Sequence, residues 1–160
     1  MVDWNFLENT LSYMNFGEKF IKSVFTAYTN IETSINLNGE LTPFFKPSNG
    51  LRQGDPLSGL LFLVVAEVLS QSIIENQNIC GLKKGNFELK IDQFADDTRL
   101  FLKDKKSLKE ALNSLNLFEK VSGLKINNDK SEAFWLDESK NNEKPFGLKW
   151  TTEPIKSFGI

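Results

Sequence analysis

The chain has 160 residues, enough for one domain with a real core; 40% are hydrophobic, 12% aromatic, and the net charge is −2. It holds no histidine and one cysteine, Cys80, which excludes His-ligated zinc, His-based nucleophilic catalysis and an internal disulfide. Asp and Glu remain as ligands for oxygen-donor metal chemistry.

The slightly acidic balance is poor support for a free-standing nucleic-acid binder, because phosphate contacts come from clustered Lys and Arg. The longest apolar run, Leu60 to Ala66, is far short of the ~20 residues of a membrane span. The start, Met1-Val2-Asp3-Trp4, lacks the basic region of a signal peptide. The expectation is a soluble chain, with no membrane partner and a cysteine usage that suits a reducing compartment.

Trp4, Leu7, Leu11 and Met14 recur at helical spacing behind Asp3, which predicts a capped helix over 4–14 ended near Gly17. Phe20, Ile21, Val24, Phe25 and Tyr28 predict a second helix. Alternation from Ile31 to Leu37, the dipeptide Asn38-Gly39 and the run Glu40 to Phe45 predict a hairpin, with Pro43 marking its second strand as an edge.

After the loop Pro47-Ser48-Asn49-Gly50, the sequence Gly54-Asp55-Pro56 predicts a helix start, with Asp55 as cap and Pro56 in the first turn. That helix is expected to run from Pro56 to Glu75 and, being apolar throughout Leu57 to Val65, to be buried on most sides.

Strands are predicted over Phe87 to Gln93 and Thr98 to Leu102, enclosing Phe94-Ala95-Asp96-Asp97. Ser107-Leu108-Lys109-Glu110 reads as a capping box opening a helix with the core stripe Leu108, Ala111, Leu112, Leu115 and Phe118, stopped by Gly123. Short strands are predicted over Lys125 to Asn127, Glu132 to Leu136 and Pro154 to Ile160. The order predicts an α+β fold in which helices pack on an antiparallel sheet, with no repeat and no interior linker.

Two adjacent carboxylates at a chain reversal repel, and a hard cation shared with substrate phosphates relieves that repulsion. The plainer reading is an ordinary turn, where Asp bonds nearby amides. The pair alone does not decide between them.

Gly50-Leu51-Arg52-Gln53-Gly54-Asp55-Pro56-Leu57-Ser58 with Leu60-Leu61-Phe62 resembles the loop-and-helix motif of reverse transcriptases from non-LTR (LINE-type) retrotransposons. Phe94-Ala95-Asp96-Asp97 resembles the family's metal-binding hairpin. Ser122-Gly123-Leu124-Lys125-Ile126-Asn127 with Lys130-Ser131 is similar to its next motif. Pro154 to Ile160 resembles the strand that follows, and Val2-Asp3-Trp4 the tail of its first motif. The ordered set spans residues 1–160, read as one partial fingers and palm domain with no second domain. Gly59 departs from the family, which commonly has Pro there.

The resemblance implies an RNA-directed DNA polymerase fold of palm type using Mg²⁺ or Mn²⁺, with an RNA template, a DNA primer and deoxynucleoside triphosphates as partners. It implies Asp96 as the carboxylate bridging two ions and Asp97 as the secondary ligand. Ala95 is implied beside the primer end, or equally is a small residue in a tight turn. Gln53 and Gly54 are implied to touch template and nucleotide, or Gly54 simply serves the helix start. Arg52 either pairs with a phosphate or is solvated, and Lys130 either assists departure of pyrophosphate or is an exposed turn residue.

The family's first catalytic aspartate lies upstream of the position matching Asp3, so Asp3 is read as a helix cap and the domain is expected to be incomplete. Such a chain alone is expected to hold two ions poorly, to be inactive, and to leave a hydrophobic edge open. The alternative is a non-catalytic RNA-binding or scaffold domain derived from a retroelement. A palm-type cyclase ranks last, since no Gly-Gly-Asp/Glu-Glu-Phe signature is present.

Overall fold

The computed structural model describes residues 1–137 and 143–152. They form two compact units, one of Met1–Val68 with Val121–Leu124, the other of Leu69–Lys120 with the chain from Lys125 onward. The fold class is α+β. The described strands pair two by two: three antiparallel hairpins and one parallel pair.

The first unit opens with α1 (Trp4–Tyr13), capped by the Asp3 carboxylate, which accepts from the Phe6 amide at 2.9 Å. Its stop is Asn15 rather than Gly17. Asn15 takes φ 59°, its amide donates to the Ser12 carbonyl, and the Phe16 amide donates to that of Leu11. This is the left-handed closure that satisfies a helix's last carbonyls. Gly17 instead precedes α2 (Glu18–Tyr28). Leu7, Leu11, Ile21, Val24 and Tyr28 are buried, as their spacing predicts.

The Asn38-Gly39 hairpin forms, with strands β1 (Asn36–Leu37) and β2 (Glu40–Leu41) shorter than the alternation predicts. An isolated bridge, Thr33 to Phe45, extends it. Its apolar residues Ile35, Leu37, Leu41 and Phe44 are all more than half exposed.

Helix α3 (Pro56–Ile74) starts as predicted, with the Asp55 carboxylate accepting from the Leu57 amide at 2.9 Å. It is not buried on most sides. Leu61, Val65, Leu69 and Ile73 are 7% exposed or less, whereas Leu60 and Leu63 are 61% and 58% exposed. Every fourth residue is covered, so one stripe faces protein. At 19 residues and a mean hydropathy of 2.0, α3 is long and apolar enough, by length and composition alone, to cross a bilayer. The same test is passed by core helices of soluble proteins.

In the second unit the predicted strand Phe87 to Gln93 is broken at Lys90. Its first part, β4 (Phe87–Leu89), pairs with β3 (Leu82–Lys84), and its second, β5 (Ile91–Phe94), pairs with β6 (Asp97–Leu100). Lys90 remains in register, since its carbonyl accepts from the Phe101 amide at 2.8 Å. Its ammonium donates to the Ile74 and Asn76 carbonyls at 2.8 and 3.1 Å, closing off the end of α3.

Helix α4 (Lys105–Ser122) starts two residues before the predicted capping box. Asp104 is the cap: its carboxylate accepts from the Ser107 amide at 2.8 Å. Ser107, 1% exposed, accepts from the Cys80 amide at 3.0 Å instead of capping. The predicted stripe is the helix's inner face, with Ala111 and Phe118 buried and Leu108, Leu112 and Leu115 half-buried.

No strand forms over Lys125 to Asn127. The predicted strand Glu132 to Leu136 contracts to β7 (Glu132–Ala133), parallel to β8 (Lys149–Trp150). Trp135 and Trp150 stack beside it, ring centroids 4.7 Å apart. The predicted strand over 154–160 lies outside the described residues.

Candidate functional site

The acidic tip is a two-residue hairpin. Phe94 pairs with Asp97, leaving Ala95 and Asp96 as the turn. Ala95 takes φ 52°, a conformation costly for a residue with a Cβ. Residues 94–98 are all exposed. Among the described residues, neither the Asp96 nor the Asp97 side chain has a hydrogen bond or ion pair, so both keep their lone pairs for another ligand.

Arg99 lies two residues from Asp97, hence on the same face of β6. Its guanidinium donates to the Asp92 carboxylate directly across the hairpin, at 2.6 Å. This pair was missed by sequence reasoning, yet it follows once the turn is fixed at Ala95-Asp96. In a two-residue hairpin, residues equidistant from the turn face each other.

Two exposed carboxylates suit a hard divalent cation whose remaining sites are filled by water or phosphate oxygens. No group of three or more Asp, Glu, Cys or His able to hold a metal occurs among the described residues. The chemistry of the donors therefore fits one ion at the tip.

Arg52, Gln53 and Gly54 lie together in the first unit, on a loop tied at both ends. At one end the Gly50 amide donates to the Val2 carbonyl and the Trp4 indole donates to the Gly50 carbonyl, each at 2.7 Å. At the other end Asp55 caps α3. All three residues are exposed. Gly54 takes φ 83°, and a Cβ there meets nothing within 4 Å, so glycine is needed for its backbone and not for room.

Lys130 sits on a separate turn. The Asn127 carboxamide oxygen accepts from its amide at 3.2 Å, and its ammonium extends into solvent. Asp3 is engaged as the α1 cap, as expected. Thus Ala95, Asp96 and Asp97 share one tip, Arg52 to Gly54 share one loop, and Lys130 stands on its own turn.

The hairpin β3–β4, with its Gly85-Asn86 turn, was also missed, although that dipeptide between short apolar segments is a recognisable signal. So was Gly81, where a Cβ would fall 2.2 Å from the Leu89 carbonyl oxygen.

These elements define an α+β chain that carries, in sequence order, a glycine-bearing loop, an acidic two-residue hairpin and a serine-glycine helix stop. The sequence profile of the reverse transcriptase (RNA-dependent DNA polymerase) family matches residues 1–160, and the chain belongs to that family. An uncharacterized transposon protein of Xenopus laevis is 27% identical over 99% of this chain, which spans 12% of that protein. A retrovirus-related Pol polyprotein from a type-2 retrotransposable element of Drosophila melanogaster is 34% identical over 76% of the chain and 11% of its own length. An uncharacterized mitochondrial protein of Arabidopsis thaliana is 42% identical over 39% of the chain and 55% of its own length. Non-LTR retrotransposon proteins are thus among its relatives, and the chain spans about an eighth of the length of the first two.

Proposed function

We propose that this chain supplies the metal-holding and template-loop portion of an RNA-directed DNA polymerase of non-LTR retrotransposon type. The observation that carries this reading is the pair Asp96 and Asp97, exposed and unengaged on a tight hairpin whose neighbouring cation is already taken by Asp92. Asp96 and Asp97 would hold Mg²⁺ or Mn²⁺. When bound, such an ion stabilises charge on the oxygens of a transferring phosphoryl group.

The loop at Arg52, Gln53 and Gly54 binds the RNA template and the incoming deoxynucleoside triphosphate, its glycine letting backbone come close. Ala95, with a side chain of one carbon, leaves room at the end of the DNA primer. Lys130, free in solvent on its turn, donates charge or a proton to departing pyrophosphate.

Two-ion catalysis needs a third carboxylate, and none joins the tip among the described residues. The chain by itself is therefore expected not to extend a primer. Extension on an RNA template is expected when it is expressed in frame with a reverse transcriptase segment that supplies that carboxylate, and Asp96→Asn then abolishes it.

Metal binding is read separately, by Mn²⁺-induced broadening of the backbone amide resonances of residues 94–98 by NMR. Broadening that persists in an Asp96→Asn, Asp97→Asn double variant overturns the reading.

A further inference from the structure

We propose that the tip of the β3–β4 hairpin and the start of α4 form a second nucleic-acid contact surface, which grips the phosphodiester backbone of a single strand away from the acidic tip. It rests on the reading that the chain handles nucleic acid.

Charge is sharply segregated. Residues 80–87 and 103–109 hold six lysines and one acid, Asp104, a balance of +5 in a chain whose total is −2. Both segments belong to the second unit. They are joined at their bases by two hydrogen bonds, from the Lys103 amide to the Cys80 carbonyl at 2.9 Å and from the Cys80 amide to the Ser107 hydroxyl at 3.0 Å. All six lysines are exposed.

Each nearby acid already holds a bond within the chain. Asp104 caps α4, Glu88 accepts from the Gly81 amide at 2.8 Å, and Glu143 pairs with Lys105. Lys83, Lys84, Lys103, Lys106 and Lys109 have no ion pair among the described residues.

The first turn of α4 contains Lys105 and Lys106, and the Asp104 cap supplies the negative charge that a helix start favours. Six lysines, all exposed, on two segments that hold the single acid Asp104 suit an anionic partner. Phe87, 66% exposed and directly across from Lys84, adds an aromatic face on which a base can stack. Lysines beside an exposed ring fit a single-stranded nucleic acid better than an acidic peptide.

The test uses the full chain and a fluorescein-labelled single-stranded oligonucleotide, as RNA and as DNA of one sequence, followed by fluorescence anisotropy across a salt series. The four-site variant Lys83→Gln, Lys84→Gln, Lys103→Gln, Lys106→Gln is expected to weaken binding. It should also flatten the plot of log affinity against log salt by about 2.8, at ~0.7 for each single-strand phosphate that a lysine no longer neutralises. The pairs Lys83→Gln, Lys84→Gln and Lys103→Gln, Lys106→Gln should each account for about half, which keeps the test sound if the fourfold variant folds poorly.

The urea midpoint of the Lys103→Gln, Lys106→Gln variant should stay close to that of the parent chain, since losing charge that opposes the α4 dipole offsets losing the attraction of Lys103 for the Asp104 carboxylate. An unchanged slope in all three variants overturns the proposal, as does tighter binding of polyglutamate than of either oligonucleotide. A flattened slope in the lysine variants alongside persistent Mn²⁺ broadening in the Asp96, Asp97 double variant would retain this surface while refuting the polymerase reading.

Discussion

Replacing leucines one at a time along α3 tests how that helix is covered. Leu61 is 1% exposed and Leu60 is 61% exposed, although they are neighbours in one apolar run. Leu61→Ala removes a fully covered side chain and leaves a cavity, a loss of about 3 kcal/mol within the ~2–5 kcal/mol range of core truncations. At Leu60 only some two fifths of the surface is withdrawn from water, and a fully buried leucine is worth ~1.5–3 kcal/mol. Leu60→Ala should therefore cost under about 1 kcal/mol. Leu63→Ala, at 58% exposure, should match it. Urea titration followed by far-UV circular dichroism under matched conditions reads the difference as a shift in midpoint at constant slope. Equal losses at Leu60 and Leu61 would refute the one-stripe packing and restore a helix covered all round.

Two further outcomes follow from single contacts. Gly81→Ala drives a Cβ to 2.2 Å from the Leu89 carbonyl oxygen, which only backbone movement relieves, so a loss of about 3 kcal/mol is expected by thermal or chemical denaturation; a neutral result would sink the close approach. Asp104 is held below the ordinary carboxylate value, chiefly by the backbone hydrogen bond from Ser107, then by that residue's side chain, and by Lys103. A depressed value means that the cap's contribution is present above about pH 4 and fades as pH falls through the folded-state value. Asp104→Ala should cost ~0.5–2 kcal/mol at neutral pH. Asp104→Asn should keep most of the cap and remove that part of the acid dependence, as read from midpoints between neutral pH and about pH 3.

Helix existence was legible because the apolar stripes and the caps agree. Asp3 before Trp4, and Asp55 before Pro56, each place an acceptor where first-turn amides are unsatisfied. Coverage of α3 was not legible. A continuous apolar run records which residues are able to be buried, and only the fourfold recurrence of covered positions, from Leu61 to Ile73, shows which ones are. Ser107 misled for a related reason. Its spacing to Glu110 copies a capping box, but an acceptor three residues earlier, Asp104, takes the Ser107 amide and sets the helix start. The long strand predicted through Lys90 failed because alternation persists across a break that separates two hairpins, and the Gly85-Asn86 turn that causes the break went unread.

The acidic tip was legible from residue type and turn position, but its electrostatic state needed the register. Asp97 and Arg99 share a face, so sequence alone permits an internal ion pair that would occupy the carboxylate. With Ala95 and Asp96 fixed as the turn, Asp92 lies opposite Arg99 and takes its guanidinium. Four charges on one short hairpin then resolve into a neutral pair near its base and two unpaired carboxylates at its tip. Like charges so close and so exposed gain nothing from each other, and their repulsion falls when a cation shares them. That asymmetry distinguishes the tip from an ordinary Asp-rich turn, where a nearby amide takes the side-chain oxygen, as the Asp55 and Asp104 carboxylates illustrate in this same chain.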